Sequence, residues 1–348
     1  MSHLEPLAVP ADQDLVVARR VRESRDVVSL YLEPTSGDGL RPFRAGQHLP
    51  LRLGLAGRAV ATYTISSDCR DAGSYRISVK REAGGLGGSA WLHDMAPEGT
   101  VIRAAAPRGS FVVEPADNPV ILLTGGIGIT PALSMLRDLL HEGRRKVWFI
   151  HACNNVEEHS FVEELRALTE GNPLVRCAVA YANGTPEDIA CGACQHLGFV
   201  DREFLQRLLP LDAYHCYLCG PAPFMVAMRK LLTGMGLPDA AIRQEDFGGT
   251  AASPRPAAPV EGAPSAAEVR FALSGQVATW DGSESLLDFA EAQGLQPEFS
   301  CRNGVCGTCA CALVSGEVEY VEDPLDPPPE GQVLICCARP RGPVELAL

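Results

Sequence analysis

Ser300-Cys301-Arg302-Asn303-Gly304-Val305-Cys306-Gly307-Thr308-Cys309 is the stretch whose chemistry sorts the rest of the chain. Three cysteines at C-x4-C-x2-C spacing, with glycines among them, form a tight loop that turns several thiolates toward one point. Cys336 stands 27 residues further on as a candidate fourth. Soft thiolates at this spacing suit a [2Fe–2S] cluster, and glycines let backbone N–H groups approach its sulfides. A structural zinc site would pair one C-x2-C with another or with histidines, and nothing of that form follows. Cys336 and Cys337 are adjacent, so in an extended segment they face opposite ways and one of them at most can ligate. Cys311 reads as a buried, inert thiol. A chain with such a centre moves single electrons, and its remaining sequence should supply their source.

At 348 residues the chain has room for two or three domains. Its 46% hydrophobic and 21% charged content fits a soluble globular protein with substantial cores. No charged n-region and apolar h-region open the chain. No apolar run approaches the roughly 18 residues that a membrane helix needs. A cytoplasmic location, with no membrane contact, is the expectation. Of the net charge of −13, residues 268–348 carry −9, from 13 Asp/Glu against four Arg. An acidic module of this kind argues against nucleic acid and for a basic docking partner, besides keeping the protein soluble. Thirteen cysteines in a leaderless chain point to metal ligands, redox groups or small buried residues rather than disulfides.

In chain order, Leu15–Ala18 and Val27–Leu32 read as a hairpin, followed by strands over Phe43–Leu53, Ala59–Ser67 and Ser74–Arg81. Short strands broken by Gly, Asp and Pro indicate an antiparallel barrel. The run Gly84 to Ser89 precedes a short helix from about Ala90 to Met95, and Phe111–Pro115 closes the region. The pattern then changes. Val120-Ile121-Leu122-Leu123 is a strand covered on both faces, and it enters Gly126-Ile127-Gly128-Ile129-Thr130-Pro131. Thr130 is expected as the N-cap of the next helix, with Pro131 first inside it. Strands at Lys146–Ile150, Leu174–Ala180 and Tyr214–Leu218 alternate with helices at Phe161–Leu168 and Phe224–Leu232, which implies a parallel sheet. Residues 250–267, rich in Pro and Ala, read as a semi-extended linker. Beyond it come strands at Val269–Leu273 and Val277–Trp280 and a helix at Leu286–Ala292. The domains expected are 1–115, 116–249 and 268–348.

Two turns have the character of an anion site. Gly126 and Gly128 follow a strand and open a helix, where backbone and helix N-terminus favour a pyrophosphate. Leu218-Cys219-Gly220-Pro221 ends a later strand at the same carboxyl edge. A plain tight turn would look similar in either case; the two together are more persuasive. Tyr63-Thr64-Ile65-Ser66 offers an aromatic face and two hydroxyls, and Gly87-Gly88-Ser89 offers N–H groups at a helix start. A flavin ring needs the first and its phosphate the second. Cys191-Gly192-Ala193-Cys194 with Cys216 and Cys219 resembles a zinc ribbon, but Cys216 and Cys219 should face opposite sides of a strand.

On these residues, 1–249 resemble the ferredoxin–NADP reductase superfamily and 268–348 a plant-type ferredoxin module of β-grasp α+β type. The order is similar to that of oxygenase reductases of the phthalate dioxygenase reductase group. Gly198-Phe199-Val200-Asp201 and Tyr217 to Met225 are similar to flavohaemoglobin reductase domains. The family's flavin motif R-x-Y-[ST]-x-S reads here Ala61-Thr62-Tyr63-Thr64-Ile65-Ser66, with Ala61 where the phosphate-binding arginine stands; Arg58 is an odd number of positions away and a poor substitute. The resemblance implies that Tyr63 packs on the ring, that Thr64 and Ser66 hydrogen-bond it, and that Gly88 and Ser89 hold phosphate. It sets the backbone of Val79 and Lys80 along the flavin, Phe247 near the ring and Glu245 near the nicotinamide. Gly126, Gly128, Thr130 and Cys219-Gly220-Pro221 fall on its nicotinamide site. Near Asn154 and Asn155 the chain offers no arginine and two carboxylates, Glu157 and Glu158, so NADH is expected over NADPH. The pattern C-x-A-x-P at Cys336-Cys337-Ala338-Arg339-Pro340 selects Cys336 as the fourth cluster ligand beside Cys301, Cys306 and Cys309.

What the resemblance implies is an oxidoreductase that carries electrons from NADH through a flavin to the [2Fe–2S] centre: the flavohaemoglobin-like stretches favour FAD, while the fusion order and Gly87-Gly88-Ser89 keep FMN as the alternative. A terminal oxygenase docking on the acidic module is the expected acceptor. A haem or hybrid-cluster acceptor in nitrogen-oxide metabolism is the alternative, and an iron–sulfur redox sensor without turnover is the non-enzyme one.

Overall fold

Residues 12–54, 60–82, 87–245, 247, 266–280, 282, 285–299, 302, 304, 307–321, 324 and 327–348 are described by the computed structural model. The 250–267 linker lies almost wholly outside these residues. In the first unit, β1 (Gln13–Arg22) and β2 (Val27–Pro34) form the expected hairpin. They are followed by β3 (His48–Arg52), β4 (Ala61–Thr64), β5 (Tyr75–Lys80), helix α1 (Gly88–Asp94) and β6 (Val101–Ala104). All pairings are antiparallel, in the order β4-β3-β6-β1-β2-β5. A bridge between Ile65 and Ile77 joins the two outer strands and closes a barrel around Leu15, Leu30, Leu49 and Ile77. β6 went unread in the sequence because its alternation lasts only four residues.

The second unit runs β7 (Val120–Gly125), α2 (Ile129–Glu142), β8 (Val147–Cys153), α3 (Val162–Thr169), β9 (Val175–Tyr181), α4 (Pro186–Ala190) and β10 (His196–Leu197). It continues with α5 (Arg202–Leu208), β11 (His215–Cys219), α6 (Ala222–Gly234) and β12 (Ile242–Glu245). The sheet is parallel throughout, ordered β10-β9-β8-β7-β11-β12. β7 is buried at all six positions, as a strand covered on both faces must be. Thr130 is not the N-cap expected of it. Gly126–Gly128 form a 3-10 turn that runs directly into α2, so the cap falls to Gly128. The Thr130 hydroxyl instead donates back to the Ile127 carbonyl at 3.1 Å. Pro131 is tolerated because N–H groups of a first turn have no partner within the helix. Cys216 and Cys219 do face opposite sides of the sheet, in separate cores.

The third unit comprises β13 (Ala267–Phe271), β14 (Gln276–Trp280), α7 (Leu286–Ala292), β15 (Ala310–Ser315), β16 (Val318–Tyr320), β17 (Gln332–Leu334), β18 (Ala338–Pro340) and β19 (Val344–Leu346). A mixed sheet β14-β13-β19-β15-β17, with β13 and β19 parallel, packs with α7 around Phe271, Trp280 and Phe289. This is the β-grasp-type α+β arrangement expected. Ser285 caps α7 by accepting from the Asp288 N–H at 3.2 Å.

Barrel and parallel sheet share a core in which Ala45 and Phe111 pack with Leu122, Met135 and Tyr217. A buried ion pair crosses the same boundary. Arg76 on β5 binds Glu164 on α3 through both terminal nitrogens, Nη2 to Oε1 at 2.8 Å. Its Nε donates to Ser66 Oγ at 2.9 Å, and Arg137 shares Glu164 at 2.9 Å. Replacing Arg76 by Met leaves that carboxylate half-paired and two Ser66 oxygens without their donor. We expect a loss of about 3 kcal/mol, read as a lower urea midpoint at unchanged slope. A loss below about 1 kcal/mol, the range of exposed pairs, would show that this pair does not hold the two units together.

Candidate functional site

In an open parallel sheet ligands bind beyond the carboxyl ends of the strands, where the strand order reverses. Here that point lies between β7 and β11, and the two glycine turns meet there. A Cβ on Gly128 would stand 2.3 Å from the Cys219 carbonyl oxygen and 2.7 Å from Gly220 N, so no other residue fits. Cys219 pairs with Thr124 on one side and Glu245 on the other, and Pro221 precedes α6. Glu245 is 3% exposed. Its Oε1 lies 3.8 Å from Nδ1 of His48, which sits opposite Thr64 in the β3–β4 ladder. Thus Gly128, Cys219, Gly220, Glu245, His48 and Thr64 form one continuous group spanning barrel and sheet. His48 was missed in the sequence; its one signal is a histidine just past the Gly46 turn, opening the apolar run Leu49-Pro50-Leu51. Phe247 is exposed two residues beyond Glu245, and Asp246 lies outside the described residues.

The flavin strand and the phosphate turn also come together. A Cβ on Gly88 would lie 2.9 Å from the Tyr63 hydroxyl, 3.2 Å from Ala61 Cβ and 3.8 Å from Leu53 Cδ1. The start of α1 is therefore flush against the aromatic strand, a cradle that fits a ring with its phosphate. Ala61 points into it, at the place where the motif's arginine would enter; Arg58 lies outside the described residues. Ser66 is not brought to the cradle. It is fully buried, and its hydroxyl is taken by Arg76 and by Ser78 Oγ at 2.8 Å. Ile65 likewise gives its N–H to the Gln47 carbonyl at 3.0 Å. The Val79 carbonyl meets His93 Nε2 at 2.9 Å, Lys80 pairs with Asp26 at 3.4 Å, and Ser89 Oγ accepts from the Glu82 N–H at 3.1 Å.

Beyond β8 the expectation that no cation stands near Glu157 and Glu158 is corrected. Arg25, from the barrel's first hairpin, reaches both carboxylates, at 3.2 and 2.8 Å. The sequence hid this because the partners lie 132 and 133 positions apart. Two carboxylates still outnumber one cation there.

Of the cluster loop, Cys301 and Cys306 lie outside the described residues. Cys309, Cys336 and Cys337 are buried together. The two adjacent thiols differ. Gly304 gives its N–H to Cys336 Sγ at 3.3 Å, the contact a thiolate ligand uses. Cys337 Sγ donates to the Leu334 carbonyl at 3.5 Å. Burial, and after it the three thiols, push the Tyr320 hydroxyl above its usual pKa. Cys311 is half-buried rather than buried as expected, and desolvation still pushes its thiol up to about 12. Arg302 fastens the loop to α7, pairing with Asp288 at 2.7 Å and Glu291 at 2.6 Å and lying 3.8 Å over the Phe299 ring.

Comparison with known families agrees with these three centres. Residues 14–113 match the oxidoreductase FAD-binding domain, 122–230 the oxidoreductase NAD-binding domain, and 272–341 the 2Fe-2S iron-sulfur cluster binding domain. The chain is 32% identical over 339 residues to the ferredoxin reductase component of 3-ketosteroid-9-alpha-monooxygenase of Rhodococcus rhodochrous, covering 94% of this chain and 93% of that one. It is 37% identical over 244 residues to the flavohemoprotein of Rhodopirellula baltica, and so spans 60% of that relative's length and 67% of its own. The solved structure of phthalate dioxygenase reductase superposes with a TM-score of 0.65 at 28% identity, covering 97% of this chain and 98% of that one. Fold and sites together define a flavin- and nicotinamide-dependent oxidoreductase with an iron–sulfur module. The chain belongs to the ferredoxin–NADP reductase family, in the branch that carries a C-terminal [2Fe–2S] ferredoxin domain.

Beside the nucleotide edge lies a buried pair of histidines, His151 on β8 and His159 in the segment between β8 and α3. His151 Nδ1 lies 2.8 Å from Thr124 Oγ1, His159 Nδ1 lies 2.8 Å from the Tyr181 hydroxyl, and the rings are 5.3 Å apart. Burial holds both below the usual histidine range, His159 to about 4. Both are neutral in the folded protein at pH 7, whereas an unfolded chain binds their protons from about pH 6.5. Their contribution is therefore whole above that pH and is lost as pH falls toward 4. For His159 alone, stability at pH 5 should be about 2 kcal/mol below that at pH 7. Urea unfolding at the two pH values measures it, and a His159→Asn variant should show the smaller drop.

Proposed function

We propose that this protein is an NADH-dependent reductase that passes electrons through FAD and a [2Fe–2S] centre to a terminal oxygenase. The observation that carries the reading is the unbroken group from Gly128 through Cys219, Glu245 and His48 to Thr64, which sets a nicotinamide edge against a flavin strand. Bound flavin supplies the conversion between a hydride's two electrons and the single electron a [2Fe–2S] cluster accepts. The chain's own residues hold and orient. Gly126, Gly128 and Thr130 open α2 toward the dinucleotide, with Cys219, Gly220 and Pro221 closing the other side. Tyr63 and Thr64 face the ring, Gly87, Gly88 and Ser89 its phosphate, and Phe247 covers the approach from the chain's end. Ile65, Val79 and Lys80 support this strand surface, and Ser66 acts through Arg76 rather than on the ring. The carboxylate excess at Glu157 and Glu158 supports NADH over NADPH.

Cys301, Cys306, Cys309 and Cys336 are the proposed cluster ligands; the Gly304 N–H on Cys336 and the bond that Cys337 gives to the Leu334 carbonyl favour that choice. The acidic module of residues 268–348 is the docking face for a basic acceptor surface. A reducing, cytoplasmic compartment agrees with the eleven free cysteines among the described residues. Among those residues no helix is long and apolar enough to cross a membrane.

NADH added without oxygen should bleach both flavin and cluster absorbance. If NADH left the cluster oxidised while dithionite reduced it, the electron path would be wrong. Cys336→Ser should lose or alter the cluster spectrum, and Cys337→Ser should keep it.

A further inference from the structure

Two kinds of boundary occur within this chain. Barrel and parallel sheet are fused through a shared apolar core and the buried Arg76–Glu164 pair. The iron–sulfur unit has a core drawn entirely from residue 267 onward. It meets the barrel through a polar contact: Arg52, at the end of β3, is held by Asp12 through Nε and by Glu298 through Nη1.

Each partner sits at a telling place. Leu51 and Leu53 flank Arg52 and point into the barrel, and Leu53 is one of the three residues against which Gly88 packs. The Arg52 side chain points the other way and is one-third exposed. Glu298 leads into buried Phe299 and, three residues on, Cys301. Arg302, over Phe299 and tied to α7, makes that entrance to the loop stiff. A guanidinium shared between Asp12 and Glu298 thus connects the strand beside the flavin cradle to the cluster loop.

We propose that Arg52 is the positioning residue for flavin-to-cluster transfer, an ionic latch that docks the iron–sulfur unit on the barrel by its grip on Glu298. The inference rests on the electron path proposed above. The step it serves moves one electron from a donor holding two, leaving the other for a second transfer. Such a step depends on the distance between centres held in two separately packed units. Because the pair is partly exposed, the latch yields to salt, whose screening length shrinks to about 3 Å at 1 M.

The test uses the full-length holoprotein and the variants Arg52→Gln, Glu298→Gln, the double variant and Arg52→Lys. Flavin bleaching by NADH should be unchanged in all. Appearance of the reduced-cluster EPR signal after rapid mixing should slow about fivefold in either single variant, the upper range for an exposed pair. The double variant should be no slower than the singles, and Arg52→Lys should recover part of the rate. Small-angle scattering of the oxidised proteins gives an independent reading. At low salt the Gln variants should show a larger radius of gyration than wild type, and wild type in 1 M salt should match them. Cluster reduction at wild-type rates, additive losses in the double variant, or scattering indifferent to substitution and salt would each overturn the latch. Failure of wild type to reduce its cluster would instead refute the electron path, and scattering would still judge the latch.

Discussion

The interaction on which most of the molecule leans is the buried ion pair between Arg76 and Glu164. Arg76 lies on β5, where the barrel closes, and its planar fork divides its donors between two tasks. Nε and Nη2 hold the Ser66 hydroxyl and carbonyl at 2.9 and 2.6 Å, fixing the end of the flavin strand. Both terminal nitrogens hold Glu164 on α3, fixing the nucleotide unit. Ser66 is joined through Ser78 to Ser29 by 2.8 Å hydroxyl contacts, so the network reaches into β2. A charge so deeply buried is tolerable only because every side of it is met. Geometry between flavin strand and nucleotide edge is therefore set by hydrogen bonds of fixed direction, beyond what apolar packing alone would specify.

Coupling of this kind explains why His48 matters. It stands on β3 opposite Thr64, and Glu245 comes to it from the far end of the sheet. With α3 clamped to β5, the end of β12 is held near the start of β3, where Glu245 meets His48. The iron–sulfur unit is attached differently. Its own core is complete, and its contact with the barrel is polar and partly exposed. The two modes suit the two transfers: a hydride needs a fixed short approach, whereas a unit that also serves an outside acceptor gains from a contact that can be broken.

Much of the fold was legible because its signals are local. Val120–Leu123 as a continuous apolar run, the helix at Leu286–Ala292 and the hairpin at β1 and β2 each follow from period and punctuation within a dozen residues. Of the elements left unread, β6, α4, β10 and β12 are five residues or shorter, too brief for a period to show, while α5 is barely two turns long and β15 buries no face that could alternate. Thr130 misled for a related reason: a threonine before proline is a good N-cap by composition, but the 3-10 turn before it had already begun the helix.

By itself the sequence determined the chemistry: cysteine spacing, glycine turns and an aromatic–hydroxyl strand name groups that must exist wherever the chain folds. Its resemblance to a family chose Cys336 over Cys337. Tertiary structure alone decided which groups are available and which are spent. It committed Ser66 to Arg76, set Arg25 against Glu157 and Glu158, aimed the Gly304 N–H at Cys336, and brought Arg52 to Glu298 across 246 positions. The physical reason is that ligand identity is a property of residue type, whereas an ion pair or a directed N–H depends on where distant strands cross.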